Sequence, residues 1–503
     1  MKGLNPDAGT PVPELVTEIK RDLLMPSSDI SFFFNPRSIA IVGASPRPDS
    51  LSRIILESLK EMGFPGKIYP VNPKYEEILG LRCYASLKDI EDTIDIAVLA
   101  LPAPKVPDAL LEGLGKVKGA IVVSSGFKEI GDLGKELEAE LKSLAETGGI
   151  RIMGPNCLGI YDTVSKVDTF FISPERIRKP DAGGLSILTQ SGSFASLIVD
   201  EIAAEGIGVA RIVSYGNRVD VDESECLSFL SEDEATKVVL LYVESVNNGR
   251  SFLEAASRCS EKKPVVAVKV GKKESGARAA SSHTGAVAGS YEAYRAAFRK
   301  SGIIEVDGYE ELKDACKVLN AYRPGSGNRV LIITNGGGIG ISIADACESR
   351  GLVVPPLSET RKVRLLEKIP PFAAAGNPID LTGHVLDEHY AEALKEAFSG
   401  EEYDMAIVAV LWGPPLITEN LVDRVKEAVE ALEATGATGA TEEDRHKKPV
   451  LICSPGGAFT KKLAKKFEEK GLPVFATPES AARAAAILSV KTPRARRQEK
   501  GVF

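Results

Sequence analysis

Ser38-Ile39-Ala40-Ile41-Val42-Gly43-Ala44-Ser45 decides the fold. Its first five residues, apolar and partly β-branched, read as a strand; Gly43-Ala44-Ser45 is a tight turn of small residues, and Leu51–Met62 reads as the helix that follows. Strand, small-residue turn and helix in that order open a parallel α/β unit. The same rhythm continues along the chain, with strands expected at Lys67–Val71, Asp95–Leu101, Ala120–Ser124 and Arg151–Met153. It repeats at Leu185–Leu188, Arg211–Ser214, Val238–Val243 and Val265–Val270, and again at Val330–Thr334, Met405–Leu411, Val450–Cys453 and Val474–Ala476. Pro324-Gly325-Ser326-Gly327 is a linker signal between the second and third repeats. The expected organisation is a lead-in over 1–30, α/β domains over 31–160, 161–323 and 328–490, and a basic tail over 491–503. The run Ala434–Lys448, with Thr-Gly-Ala repeats and then mixed charge, reads as a surface loop.

Bulk properties narrow the function. A chain of 503 residues with 44% hydrophobic and 26% charged content is an ordinary water-soluble protein with material for about three cores. A net charge of −8 argues against nucleic acid or an anionic membrane as partner. No apolar run reaches transmembrane length, and the polar start is no signal peptide, so a cytoplasmic protein is expected. The seven cysteines form no Cys-x-x-Cys pair and read as reduced, buried small hydrophobes; no metal site is expected. Gln190 and Gln498 are the only glutamines, a depletion of thermolabile amides that hints at a thermophilic source.

The strand ends carry the chemistry. Gly43, Ala44 and Ser45 would let backbone N–H groups approach a phosphate, yet no G-x-G-x-x-G fingerprint is present. The second strand ends in Asn72, Pro73 and Lys74, offering a cation where a dinucleotide site would need a ribose-binding carboxylate; that suits a phosphorylated nucleotide such as coenzyme A. Pro102, Ser125 and Gly126 would lie on the same carboxyl edge, and Asn156 falls in the sharp turn Met153-Gly154-Pro155-Asn156-Cys157. Gln190, Ser191, Gly192 and Ser193 form a second strand-to-helix turn, readable as an N-capped helix or as free N–H groups facing a phosphate. Asn335, Gly336, Gly337 and Gly338 form a third, whose three glycines point to special backbone angles or close ligand approach. Of the four histidines, only His283 stands among small residues on both sides (Ser281-Ser282-His283-Thr284-Gly285-Ala286), open enough to take and release a phosphoryl group. Glu244, at the end of an apolar strand, is the carboxylate that could hold one imidazole nitrogen and leave the other as nucleophile.

In this order, these residues resemble the α subunit of the NDP-forming acyl-CoA synthetases of the ADP-forming acetate–CoA ligase kind, relatives of succinyl-CoA synthetase. The resemblance rests on Val42-Gly43-Ala44-Ser45, Val71-Asn72-Pro73-Lys74, Met153-Gly154-Pro155-Asn156, Gln190-Ser191-Gly192-Ser193, Tyr215-Gly216-Asn217, Ser282-His283-Thr284-Gly285, Asn335-Gly336-Gly337-Gly338 and Gly376-Asn377-Pro378-Ile379-Asp380, and covers about Phe34 to Leu488. It implies an α/β protein: an N-terminal Rossmann-like CoA-binding domain followed by two flavodoxin-like domains of succinyl-CoA-synthetase type. It also implies the reaction acyl-CoA + ADP + phosphate = acid + ATP + CoA, through an acyl phosphate and a phosphohistidine at His283 steadied by Glu244. The helix starts after Gln190 and Asn335 match the family's two phosphate-facing helices, which would converge on the phosphohistidine. His384, after the Asn377–Asp380 signature, stands where the family leads one to expect another residue and is taken as non-catalytic. No ATP-grasp segment can be recognised, so ADP/ATP with Mg2+ is expected on a separate ATP-grasp β subunit in an α2β2 assembly. The run Gly276–Gly289 would then be a swinging segment between the two sites. A CoA-sensing or protein-acetylation regulator on the same fold is the rival reading, and a binding module would need neither His283 nor Glu244.

Overall fold

The computed structural model describes residues 29–284, 290–435 and 448–491. The Gly285–Gly289 part of the expected swinging segment, most of the expected loop over 434–448, the tail from 492 and the lead-in before 29 lie outside the described residues. The chain divides into two compact units at Glu305/Val306.

The first unit holds two large sheets and a short two-stranded one, Glu77–Ile78 with Leu81–Arg82. In the first sheet, β1 (Ser38–Val42), β2 (Lys67–Val71), β3 (Ile94–Leu99), β4 (Val117–Val122) and β5 (Arg151–Met153) run parallel in the order β2-β1-β3-β4-β5. Helices α1 (Leu51–Glu61), α2 (Val106–Glu112) and α3 (Asp132–Gly148) make the crossovers. β1, β3 and β5 are buried throughout, as strands covered on both faces must be. Gly43-Ala44-Ser45 does not open α1 directly. An irregular segment through Pro46 and a turn at Pro48, closed by the Ser50 N–H on the Arg47 carbonyl (3.1 Å), intervene, and the helix begins only at Leu51.

The second sheet is built from β6 (Gly159–Asp162), β7 (Val167–Asp168), β8 (Ala182–Thr189), β9 (Val209–Ser214), β10 (Val238–Val243), β11 (Val265–Lys269) and β12 (Ile304–Val306), in the order β12-β11-β10-β8-β9-β6-β7. From β8 onward the winding is that of the first sheet. β6 and β7 add an antiparallel edge, with β6 paired to β9, so the position expected as a boundary at 160 falls inside a strand of this sheet. Its helices are α4 (Gly192–Ala204), α5 (Glu223–Glu232), α6 (Gly249–Lys262), α7 (Glu274–Thr284) and α8 (Tyr291–Ser301). One buried cluster runs from Phe33, Ile41 and Val123 to Leu188, Val213 and Leu241, so the two sheets share a core.

In the second unit, α9 (Tyr309–Ala321) packs against the closing helix, and the sheet comprises β13 (Val330–Thr334), β14 (Ala374–Ala375), β15 (Ile379–Asp380), β16 (Met405–Ala409), β17 (Val450–Cys453) and β18 (Val474–Phe475). The order is β14-β15-β13-β16-β17-β18, parallel except for β14, with helices α10 (Gly337–Glu348), α11 (Glu359–Leu366), α12 (Asp387–Phe398), α13 (Leu421–Thr435), α14 (Ala458–Glu469) and α15 (Pro478–Ser489). The three large sheets all reverse strand order beside their first parallel strand, the point at which open α/β sheets bind ligands. All seven cysteines are free and buried. Among the described residues no helix is long and apolar enough to cross a membrane.

Candidate active site

In the first sheet the strand order reverses between β1 and β3. Gly43, with φ +84°, sits so close to the β3 end that a Cβ would lie 2.5 Å from the Ala100 carbonyl oxygen, so only glycine fits. The N–H groups of Gly43 and Ala44 both donate to the Val71 carbonyl (3.0 and 3.2 Å) and are taken up by the sheet; donors for a phosphate must come from beyond them. Asn72 joins the two loops: its Nδ2 donates to the Ala44 carbonyl (2.7 Å) and its Oδ1 accepts the Lys74 N–H (3.0 Å). Pro73, Lys74, Pro102 and Ser125 are exposed on this edge, while Ser45 is buried. Gly126 is differently engaged, because its N–H donates to Glu129 Oε1 (2.7 Å). Asn156, at φ +57°, donates its N–H to the Ser124 carbonyl (2.9 Å).

The second sheet reverses between β8 and β10, and there lies a cavity of about 230 Å³. Asn156, Gln190–Ser193, Arg218 and Glu244 line it, so the first sheet's last turn meets the second sheet's first helix. Ser191 caps α4, its Oγ accepting the Phe194 N–H (3.2 Å) and lying 3.0 Å from Ser193 Oγ. Gly192 and Ser193, in the first turn, have N–H groups that no α4 carbonyl can reach, the feature that makes a helix start attract anions. Gln190 acts otherwise than as a phosphate ligand through its side chain. Its Oε1 accepts the N–H groups of Glu244 (2.7 Å) and Ser245 (3.0 Å), and its Nε2 donates to the Ser245 carbonyl (2.6 Å). The buried amide thereby places half-buried Glu244 on the cavity wall.

Three side chains to which sequence reasoning gave no role complete this wall. Arg218, buried at φ +60°, pairs with buried Glu223 (3.1 Å) and donates to the Ser245 carbonyl and hydroxyl (2.7 Å each). Asn217 Nδ2 donates to Glu129 and Glu138 (3.0 Å each), and Lys128 Nζ donates to the Asn217 carbonyl (2.8 Å). Burial pushes the Glu129 carboxyl up, but the N–H of Gly126, the Asn217 amide and neighbouring N–H groups outweigh it and hold the group below its ordinary range. The available signal was position: Asn217 closes the quoted Tyr215-Gly216-Asn217 motif and Arg218 follows it. Cys157, also on the wall, has its thiol pushed up to about 12 by burial and is no nucleophile.

His283 falls in the last turn of α7 rather than in a loop, because Ala277, Arg278, Ala279 and Ala280 are strong helix formers. α7 packs against the turn Lys128–Ile130, whose Lys128 reaches the cavity. The side chain of His283 lies outside the described residues.

In the second unit, Asn335 repeats the device of Gln190. Its Nδ2 donates to the Leu411 carbonyl and its Oδ1 accepts the Leu411 N–H, both at 2.9 Å. Thr334 Oγ1 accepts the Gly336 N–H (3.0 Å) just as Thr189 Oγ1 accepts that of Ser191 (3.0 Å). The glycines do not serve special backbone angles, since none of Gly336, Gly337 and Gly338 has positive φ. Close approach accounts for two of them: a Cβ on Gly336 would meet Leu411 Cδ1 at 2.5 Å and one on Gly337 would meet Asp380 Oδ2 at 2.8 Å, whereas Gly338 faces open space. Asn377, whose task the sequence leaves open, stands in for a strand beside β13: it accepts the Ile332 N–H (2.9 Å) and donates to the carbonyls of Val330 (2.9 Å) and Pro355 (2.8 Å). His384 is exposed, edge-on to Phe372.

Three α/β modules of one winding, the second with a cavity walled by Glu244 and the α4 start, are the architecture of the CoA-ligase class of protein. Family models match in the same order: a CoA binding domain over 37–163, a succinyl-CoA ligase-like flavodoxin domain over 182–319 and a ligase-CoA domain over 330–500. The chain is 36% identical to acetate–CoA ligase (ADP-forming) II subunit alpha of Pyrococcus furiosus over 91% of its length and 96% of that protein's. It is 38% identical to acetate–CoA ligase (ADP-forming) I of Archaeoglobus fulgidus over 90% of its own length, but spans only 62% of that longer relative. Among solved structures, the dinucleotide-forming acetyl-coenzyme A synthetase 1 of Ca. Korarchaeum cryptofilum, in complex with phosphate and ADP, superposes with a TM-score of 0.85 at 32% identity, covering 95% of this chain and 98% of that one. The chain belongs to the family of ADP-forming acetate–CoA ligases. Relatives bearing the name subunit alpha imply a partner subunit.

Proposed function

We propose that the chain is the acyl-transferring α subunit of an ADP-forming acyl-CoA synthetase, running acyl-CoA + ADP + phosphate = acid + ATP + CoA. The observation that carries this reading is the cavity between β8 and β10, where the α4 start and Glu244 face one space, together with Lys128 from the turn against which the His283 helix packs. A phosphate oxygen attacks the thioester carbonyl, the CoA thiolate leaves and takes up a proton, and an acyl phosphate forms. A His283 ring nitrogen then attacks phosphorus and the carboxylate leaves. Glu244, bonded to the other ring nitrogen, offsets the positive charge that develops on the imidazole. Phosphohistidine finally gives its phosphoryl group to the terminal oxygen of ADP. The α4 start, through Gly192 and Ser193, holds the phosphate in transit.

Gly43, Ala44, Ser45, Asn72, Pro73, Lys74, Pro102, Ser125, Gly126 and Asn156 form the proposed CoA edge, with Lys74 supplying charge and Gly43, Asn72 and Gly126 shaping the loops. Asn335–Gly338 is a second proposed phosphate-facing helix start. The nucleotide with Mg2+ is assigned to an ATP-grasp β subunit in an α2β2, cytoplasmic enzyme, and the scarcity of glutamine fits a hot source. The test is transfer of radiolabel from inorganic phosphate to the chain in the presence of acetyl-CoA. Label that requires both reactants and disappears in His283→Ala is expected; label that persists in His283→Ala would overturn the assignment.

A further inference from the structure

Glu244 rides on a turn whose backbone is bound from four directions. Gln190 takes the N–H groups of Glu244 and Ser245 and donates to the Ser245 carbonyl, Arg218 donates to the same carbonyl, and the Tyr294 hydroxyl accepts the Val246 N–H (3.0 Å). The fourth is Lys269, the last residue of β11 and 4% exposed. Its Nζ donates to the Glu244 carbonyl (2.8 Å) and to the Val270 carbonyl, and stands 4.7 Å from the centre of the Tyr294 ring. Burial pulls this ammonium below the usual lysine range, against the pull of the Glu244 charge. A buried ammonium is costly, and a methionine would fill the same stem volume without the charge. What the charge supplies is a donor directly under the residue that faces the cavity.

We propose that Lys269 is a positioning residue for Glu244: bonded to its main-chain carbonyl, it fixes where the carboxylate stands on the cavity wall and acts on the phosphoryl carrier only through it. This rests on the reading of Glu244 as the acid that steadies His283. Displacing a reacting partner by about 1 Å costs up to about a hundredfold in rate, so the effect is measurable.

The test uses the full chain and acetyl phosphate, following the initial rate of base-stable phosphoryl labelling. Lys269→Met is expected to lower the saturating rate at least about tenfold while the half-saturating acetyl phosphate concentration changes by no more than about twofold. Lys269→Arg, which keeps a charged donor, is expected to recover part of the rate. Lys269→Met combined with Glu244→Gln is expected to be no slower than Glu244→Gln alone, because one residue acts through the other. Should Lys269→Met fail to fold by circular dichroism, Lys269→Gln, with a donor but no charge, takes its place in the same cycle. A wild-type rate in the Lys269 variants, or losses that multiply in the double variant, would overturn the proposal. Labelling of Glu244→Gln at the wild-type rate would instead overturn the reading of Glu244, and the Lys269 proposal with it.

Discussion

Gln190 has two polar atoms and uses both on the turn that carries Glu244. Gln190→Leu strands the N–H groups of Glu244 and Ser245, while Arg218 still donates to the Ser245 carbonyl, and should cost about 1–3 kcal/mol of stability, read as a lower urea midpoint. The same variant should label more slowly with acetyl phosphate, since the turn is released. The glycines after Asn335 give a sharper contrast. Gly337→Ala would press a methyl group against Asp380 Oδ2 at 2.8 Å and should destabilise by about 1–3 kcal/mol. Gly338→Ala meets nothing within 4 Å and, being helical, should be neutral or stabilise by about 0.5–1 kcal/mol. Urea melts of the two variants side by side test this directly.

At the scale of elements, Asn217, in the loop after β9, ties down the turn Lys128–Ile130 through Glu129 and α3 through Glu138. Glu129 is held below its ordinary range, so its ionised form is the one that the fold prefers. Its contribution is therefore complete above the ordinary glutamate value and is lost as pH falls through the depressed one. Glu129→Gln should flatten the fall in melting temperature below about pH 4.5, while costing stability at neutral pH. A fall as steep as in the wild type would show that other carboxylates govern that limb. The strands of this region were legible because each is an apolar run ended by small residues. β6, β7 and β12 were not: they are two to four residues long, too short for a period to show. The helical state of His283's neighbourhood was also missed, since glycines and serines drew attention away from the alanines that form α7.

Across the molecule, the same winding is used three times; the strand–turn–helix rhythm showed the α/β repeat, but not the strand order, because β12 and β15 are too short to leave a run. What the rhythm could not reveal is which loop donors remain for a ligand and which are absorbed by the chain itself. Gln190 and Asn335 look like phosphate ligands in the sequence and prove to be clasps between neighbouring strand ends, because hydrogen-bond partners far apart in sequence leave no local trace. Arg151 shows the cost of such long-range partners: from β5 it reaches Asp220 (2.9 Å) and Glu225 (2.7 Å) in the second module. Arg151→Ala leaves two acids facing one another and should destabilise the first unit by about 3–5 kcal/mol, seen as a loss of melting temperature that Arg151→Lys only partly restores. The central claim, however, concerns chemistry. The measurement that tests it most directly is peptide mapping of the acid-labile, base-stable phosphoryl group formed when the purified chain meets acetyl phosphate. A single phosphorylated site at His283, formed far more slowly in Glu244→Gln, is the predicted result. A phosphoryl group on any other residue, or none with acyl phosphate, CoA and the partner subunit all present, would contradict it.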